Sequence, residues 1–335
     1  MRVVILHNAV APDAPAAERD VLVQAEFVGR ALGQLGHTNE TLACTLDLES
    51  ARRRLLELHP DVVFNLVESL GGSDGLMFLA PALLDTLGLP YTGVPAAAMC
   101  IANHKLLTKQ RLRETGLPTP DWRANEGVKT VFQPQNSSDP FSQTWIIKTI
   151  AEHASFGLDE HSVGRFADEP ALHRRLAEAA QQLGRPCFAE QFIEGREFNL
   201  SVLAGDFGPE VLPPAEIDFS AFPAGKPRVV GHRAKWEENT FEFQATPRRF
   251  AFDPADAPLL AQLRQIAADC WRRFGLRGYA RVDFRVDTAG RPWVLEINPN
   301  PCLSPDAGFL AAAEQAGLDG QQVVARIVAD ALKPQ

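Results

Sequence analysis

The sequence predicts an α/β protein that opens with a doubly wound parallel-sheet domain. Three observations predict it. Short β-branched runs alternate with stretches of helical spacing up to about residue 100, further strand and helix units follow, and 45% hydrophobic content over 335 residues is enough for more than one core.

Arg2 to Leu6 is a β-branched run ending in His7-Asn8, and past a Pro/Ala-rich loop the stretch Glu18 to Leu35 carries Val21, Ala25, Val28 and Leu32 on one helical face, stopped by Gly36. Ala51 to Leu58 reads as a helix. Asp61 to Val67, apolar without alternation, reads as a buried parallel-type strand, and Met77 to Leu87 as a second helix ending at Gly88. A helix from His104 to Thr115 closes at Gly116, and Leu117-Pro-Thr-Pro-Asp121 breaks the chain into a new unit. Residues 125 to 143 read as a polar exposed loop, Trp145 to Thr149 as a strand and Glu169 to Leu183 as a helix. The chain is then strand-rich from Cys187 to Leu212, irregular from Pro213 to Pro254, helical from Pro258 to Phe274, and then forms a hairpin.

Charge and cysteine usage exclude several classes. With 33 Lys+Arg against 42 Asp+Glu the net charge is −9, and no stretch gathers basic and aromatic residues into a phosphate-tracking stripe, which argues against nucleic acid. The N-terminal apolar run is too short for a signal peptide and no segment is apolar enough to span a bilayer, so the expectation is a cytoplasmic protein with no membrane partner. Cys44, Cys100, Cys187, Cys270 and Cys302 are odd in number, widely spaced and never in a C-x-x-C pair, which speaks against disulfides and structural zinc.

The hairpin carries the chemistry. Along Tyr279 to Val286, Tyr279, Arg281, Asp283 and Arg285 share one face and the apolar residues the other, while in the second strand Glu296 and Asn298 oppose Leu295 and Ile297. A four-residue loop from Thr288 to Arg291 places Asp283 across from Glu296 and Arg281 across from Asn298. Two opposed carboxylates repel and need a cation or a shared proton. Mg²⁺ suits them, because it prefers one or two carboxylates and leaves coordination sites for phosphate and water. The competing reading is a solvated face whose acids are neutralised by Arg281 and Arg285. Elsewhere, Glu197, Asn199 and Ser201 alternate with Phe198, Leu200 and Val202, a polar strand face that could take a ribose or be ordinary amphipathic strand. Lys148 emerges from a buried strand, where a desolvated ammonium needs an anion.

Gly278-Tyr-Ala-Arg281-Val-Asp283-Phe-Arg-Val-Asp287 followed by Leu295-Glu296-Ile-Asn298 resembles the metal-binding signature of the ATP-grasp superfamily, and among its members the D-alanine D-alanine ligases. The resemblance implies an ATP-grasp fold, divided into a 1–102 N-terminal α/β substrate domain, a 103–186 central subdomain with the phosphate loop, and a 187–335 C-terminal subdomain with the metal site. It implies ATP and magnesium as cofactors, two ions held by Asp283, Glu296 and Asn298 with manganese able to substitute, and Arg281 at the tetrahedral intermediate. Glu190, Gln191, Phe192 and Ile193 resemble the hinge that reads adenine, Glu197 the ribose-binding acid, and Lys105, Lys148 and Lys235 the phosphate-contacting lysines, although a surface role for Lys235 stays open. Leu295 joins the ATP-binding set. In the phosphate loop Ser155 and Gly157 stay in register, while His153, Ala154 and Phe156 depart from the family's Gly/Ser-rich turn. Glu18 resembles the residue that grips the first substrate's ammonium, and Gly71 to Gly75 with Leu89 to Gly93 resemble the following loop and strand.

The substrate shells depart further. The family's His falls at Glu68, which suggests a donor bearing an added amino or other cationic group; the alternative is a Glu paired with a nearby Arg. In the acceptor stretch holding Cys302 and Ser304, Cys302 stands where the family has Gly and Ala307 where it has Ser, so D-alanine as acceptor is not implied. The expected function is an ATP-dependent carboxylate-amine ligase joining amino-acid-like substrates through an acyl phosphate; the alternative is a nucleotide-binding module without ligase activity. The family resemblance also implies a homodimer and small-molecule amino-acid or peptide substrates.

Overall fold

Six consecutive buried residues, Val3 to Asn8, make β1 (Arg2–Asn8) the centre of a parallel sheet in the order β2-β1-β3, with β2 at Thr38–Cys44 and β3 at Val62–Asn65. The computed structural model describes residues 1–125, 143–152 and 155–333, so most of the expected polar loop (126–142), His153 and Ala154 lie outside the described residues. The helix Ala16–Gln34 covers this sheet with Val21, Ala25, Val28 and Leu32, the face expected from their spacing.

Two expectations need correction in this unit, and one strand, β2, was not foreseen. β2 is an edge strand whose first four residues are all exposed, so it lacks the apolar signal by which strands are recognised. β3 stops at Asn65 rather than Val67, because the Asn65 side chain accepts from the Val67 N–H at 3.2 Å and turns the backbone out of the ladder. The helix expected from Met77 begins at Leu79, after a 3₁₀ turn at Asp74–Leu76, with Pro81 tolerated in its first turn.

The helix Lys105–Glu114, capped by His104 and preceded by the unanticipated helix Ala96–Asn103, leads into an antiparallel sheet. Its order is β4-β7-β5-β6, with β4 at Trp122–Ala124, β5 at Trp145–Thr149, β6 at Val163–Gly164 and β7 at Cys187–Gln191, and the helix Glu169–Leu183 packs on it through Leu172 and Leu176.

The third sheet runs β11-β10-β8-β12-β13, with β9 (Gly208–Val211) also on β8 (Gly195–Gly205). Here β10 is Ala215–Ile217, β11 Arg248–Arg249, β12 Tyr279–Asp287 and β13 Pro292–Asn298. Phe198, Leu200, Val202, Val282, Phe284 and Val294 form the dry face against Leu263, Ile266, Ala267 and Cys270 of the helix Ala257–Phe274. At roughly 1.5 to 3 kcal/mol for each fully buried large side chain, this face anchors the sheet whose other side is polar.

The hairpin reaches the expected register by a different route. Asp287 N–H bonds Arg291 O at 3.0 Å, so the loop has three residues, Thr288 to Gly290, with Gly290 at φ +78°. Phe284 then faces Val294, but Asp283 faces Glu296 and Arg281 faces Asn298, because Leu295 is inserted as a β-bulge. The bulge turns Leu295 to the polar side, contrary to the expected alternation.

Candidate active site

A cavity of about 830 Å³ opens where the three sheets meet. Every site residue expected above lines it except Gly157, which lies behind the loop: its φ is +67° and a Cβ there would come within 2.6 Å of Leu183. Leu295 and Glu296 both reach the cavity because of the bulge.

At one end a carboxylate is held by two ammonium groups. Glu190 on β7 is 1% exposed and ion-paired to Lys109, itself fully buried, and to Lys148 of β5. Lys148 and Glu190 lie diagonally across the β5/β7 ladder on one face, within reach of each other. Burial pushes the Glu190 carboxyl up, but the two lysines outweigh it and hold it below the usual range. Burial pulls Lys109 down to about 8, against the pull of Glu190. Lys109 also donates to Thr119 Oγ1 at 3.0 Å, and that hydroxyl donates to Val294 O of β13 at 3.0 Å. Lys109 was not anticipated. The available signal was its spacing of four residues from Lys105 on one helix.

Beside this cluster Arg285 pairs with Glu197 at 3.3 Å and lies between the Phe192 and Phe219 rings, 5.5 and 5.4 Å from their centroids. Burial raises the Glu197 carboxyl, offset in part by Arg285. Lys105 is buried and donates to Glu152 O at 2.6 Å. The Glu152 carboxylate accepts from Arg185 Nε at 2.9 Å, Asp74 N–H at 3.3 Å and Ser73 Oγ at 3.4 Å, tying the segment that begins the expected phosphate loop to the N-terminal unit. Ser155 donates to Val230 O at 2.7 Å. Lys235 sits in the short helix His232–Trp236 and faces the cavity, not the bulk surface; burial lowers its pKa, and Glu296, Asp283 and Glu197 counter this.

The hairpin residues meet at the cavity floor. Arg281 forms a two-pronged bond to Asp283, Nε to Oδ1 and Nη2 to Oδ2 both at 2.7 Å, and Asn199 donates to Asp283 Oδ1 at 2.9 Å. Asn298 Oδ1 accepts from the Asn300 N–H at 3.0 Å. Part of the alternative reading therefore holds, since Arg281 does neutralise Asp283, but Arg285 serves Glu197. No cluster of three or more His, Cys, Asp or Glu suited to a metal occurs among the described residues. The oxygen-only set of two carboxylates and an amide nonetheless fits a hard divalent ion that draws its remaining ligands from phosphate and water.

The N-terminal unit brings acids to the other end. Asp20 accepts from Cys302 Sγ at 3.0 Å and Ser304 Oγ at 2.7 Å, and Gln24 donates to Asp20 at 3.0 Å and to Glu68 at 2.9 Å. Among the described residues the Glu68 side chain forms no ion pair; its carboxylate accepts from Gln24. Burial, with Asp20 and Asp74 nearby, pushes its carboxyl up to about 7. Burial and Asp20 likewise push the Cys302 thiol well up, so it stays protonated. Glu18 is exposed on the same wall. Asp20 was missed; apart from Gln24 on its own helix, its partners Cys302 and Ser304 lie more than 280 residues away in sequence.

The chain matches the family model described as D-ala D-ala ligase C-terminus over residues 112–329. It is 31% identical to the D-alanine D-alanine ligase of Moorella thermoacetica, over 97% of this chain and 99% of that one, and 32% identical to that of Gloeobacter violaceus, over 98% of each. In fold it resembles the D-alanine D-alanine ligase from Bacillus anthracis complexed with ATP, with a TM-score of 0.72, 19% identity, and 99% and 97% of the two chains covered.

Proposed function

We infer, from the premise that the chain belongs to the D-alanine D-alanine ligase family and is an ATP-dependent carbon–nitrogen ligase, that its cavity joins two amino-acid-like substrates. A carboxylate of the first attacks the γ-phosphorus of ATP, giving an acyl phosphate and ADP. The amine of the second attacks the acyl carbon, phosphate leaves, and an amide forms. The observation that carries this reading is the convergence in one cavity of the Asp283, Glu296 and Asn298 triplet, the lysines at 105, 148 and 235, and the acids at 18 and 68.

In this reading Lys105, Lys148 and Lys235 with Ser155 hold phosphate oxygens while Gly157 shapes the loop from behind, Glu190 to Ile193 and Leu295 receive the base, and Glu197 the ribose. Asp283, Glu296 and Asn298 would hold the divalent metal the family uses, which when bound neutralises triphosphate charge; we assign two magnesium ions, replaceable by manganese. Arg281 faces the oxyanion of the tetrahedral intermediate. Glu18 takes the donor ammonium, and Glu68 favours a donor with a further cationic group, Cys302 and Ser304 completing the wall through Asp20. The acceptor need not be D-alanine. Three units meet at the site; since Cys187–Gln191 pairs within the central sheet, the boundary placed at 186 is better drawn after Gln191. No helix among the described residues is long and apolar enough to cross a membrane. A cytoplasmic homodimer is the assembly we propose.

The test is Mg²⁺-dependent phosphate release from ATP over D- and L-amino acids, singly and in pairs, with mass analysis. A product equal to two substrates minus water supports ligation; ATP binding without release for every pair refutes it.

A further inference from the structure

A buried arginine at the nucleotide end of the cavity has no part in the scheme above. Arg285 is 4% exposed, and on β12 it stands directly across the ladder from Glu197 of β8, so the two side chains leave neighbouring strands on the same face. Besides the ion pair from Nε to Glu197 Oε2 at 3.3 Å, its Nη1 donates to Gly195 O at 3.1 Å and its Nη2 to Arg228 O. Gly195 opens β8, whereas Arg228 belongs to the segment that leads from β10 to the helix His232–Trp236. With the Phe192 and Phe219 rings also against it, the guanidinium is held in place from three other parts of the chain.

Glu197 depends on this neighbour. Its carboxyl lines the cavity, and Arg285 is its one ion-pair partner among the described residues. Burial raises the carboxyl above its ordinary value and Asp283 pushes the same way, while Arg285, Lys235 and Lys148 pull it down. The two lysines are the ones assigned to phosphate oxygens. A bound triphosphate engages their charge, so Arg285 is the cation left to Glu197 once nucleotide is in place. The charge state decides what Glu197 can hold. A carboxylate only accepts, and its two oxygens offer about four lone-pair sites, enough for both hydroxyls of a vicinal diol. A protonated carboxyl turns one oxygen into a donor and loses the charge that strengthens each bond.

We propose that Arg285 is a positioning residue for the nucleotide: it holds Glu197 as a fixed carboxylate and thereby makes the cavity select a ribose with both hydroxyls over a deoxyribose. The inference rests on the assignment of Glu197 to the ribose. Each nitrogen of Arg285 is already engaged by protein, which leaves Glu197 to meet the sugar. The same guanidinium, through Arg228 O, anchors the start of the segment that continues through Val230, whose carbonyl accepts from Ser155, to Lys235. Sugar recognition and the phosphate-facing segment therefore share one buried cation.

The experiment is calorimetric titration of the wild type, Arg285→Met, Arg285→Lys and Glu197→Gln with ATP and with 2′-deoxyATP, both with Mg²⁺, the KM for the amino acids being taken from phosphate release. The wild-type chain should bind ATP at least about 10-fold more tightly than 2′-deoxyATP, the worth of one hydrogen bond to a charged group. Arg285→Met should weaken ATP by about 10- to 100-fold and 2′-deoxyATP by less, bringing the ratio of the two to that of Glu197→Gln, with the amino-acid KM values unchanged. Adding Glu197→Gln to Arg285→Met should then alter the ratio no further, because the two residues act as a unit. Arg285→Lys keeps the charge without the fork and should keep most of the ratio, so the comparison stands even where the methionine variant does not fold. Equal affinity of the wild type for the two nucleotides, an unchanged ratio in Arg285→Met, or complete loss of the ratio in Arg285→Lys overturns the assignment. Absence of phosphate release with every amino-acid pair overturns the ligase reading alone, since the ratios are read from binding.

Discussion

Replacing Lys109 with methionine tests whether the Glu190 cluster is held as described. Lys109 is wholly buried, and its partner Glu190 is 1% exposed. Methionine fills a similar volume, so the change removes charge rather than packing. Taking one partner from a buried ion pair costs about 3 to 5 kcal/mol, because the remaining charge is left uncompensated. Lys148 still faces Glu190, which places the expected loss near the lower value. The Thr119 hydroxyl loses a donor but keeps its own bond to Val294 O, so β13 should be little disturbed. Urea unfolding at pH 7 of the wild type, Lys109→Met, Glu190→Gln and the double variant would measure this. The double variant should recover at least about 1 kcal/mol relative to the sum of the single losses. A loss below about 1 kcal/mol in Lys109→Met, or strict additivity in the double variant, would refute the reasoning.

Asp283→Asn and Glu296→Gln should each lower phosphate release by about 100-fold or more with an unchanged circular dichroism spectrum, and chelation by EDTA should do the same reversibly; near-normal turnover in both variants would remove the metal assignment. Glu68, whose ordinary value of 4.5 is raised to about 7, binds a proton more tightly folded than unfolded, so its contribution to stability is present at low pH and lost as pH rises from about 4.5 to 7. Glu68→Gln should therefore gain on the wild type across that window, by at most about 3 kcal/mol and by less for a side chain that keeps some solvent, as denaturation at pH 5 and pH 8 would reveal. Gly157→Ala forces a side chain into a left-handed backbone against Leu183 and should cost about 1 to 2 kcal/mol, read from thermal melting; an unchanged melting temperature would contradict the packing.

The central hairpin shows what could be read from residues alone. Its register at the site was expected correctly from a four-residue loop, yet the chain uses a three-residue loop and then adds Leu295. Two one-residue differences cancel between Phe284 and Asp283, so Asp283 still meets Glu296 while Leu295 changes sides. Alternation cannot disclose a bulge whose inserted residue, Leu295, is as apolar as the Val294 before it. β2 was silent because an edge strand needs no buried face, and the helix Ala96–Asn103 because an alanine-rich segment shows little periodicity. Motifs contiguous in sequence, such as the two hairpin strands and the Glu190 to Glu197 segment, were legible. The Gln24 bridge to Glu68, the bonds from Cys302 and Ser304 to Asp20, and the burial of Lys109 against Glu190 join distant segments, and only the folded chain brings them together.

Glu152 joins two different parts of the molecule, one through its buried carboxylate and one through its backbone carbonyl. It is bonded to Ser73 and Asp74 of the N-terminal unit, while its carbonyl receives Lys105. A shift of the segment that follows Lys148 is therefore felt at the loop that borders the acidic wall. Such a shared anchor is a thermodynamic linkage. Whatever factor by which a bound nucleotide tightens the amino-acid end must return as the same factor in nucleotide affinity when the amino acid arrives first, so order of arrival alters the path and not the final occupancy.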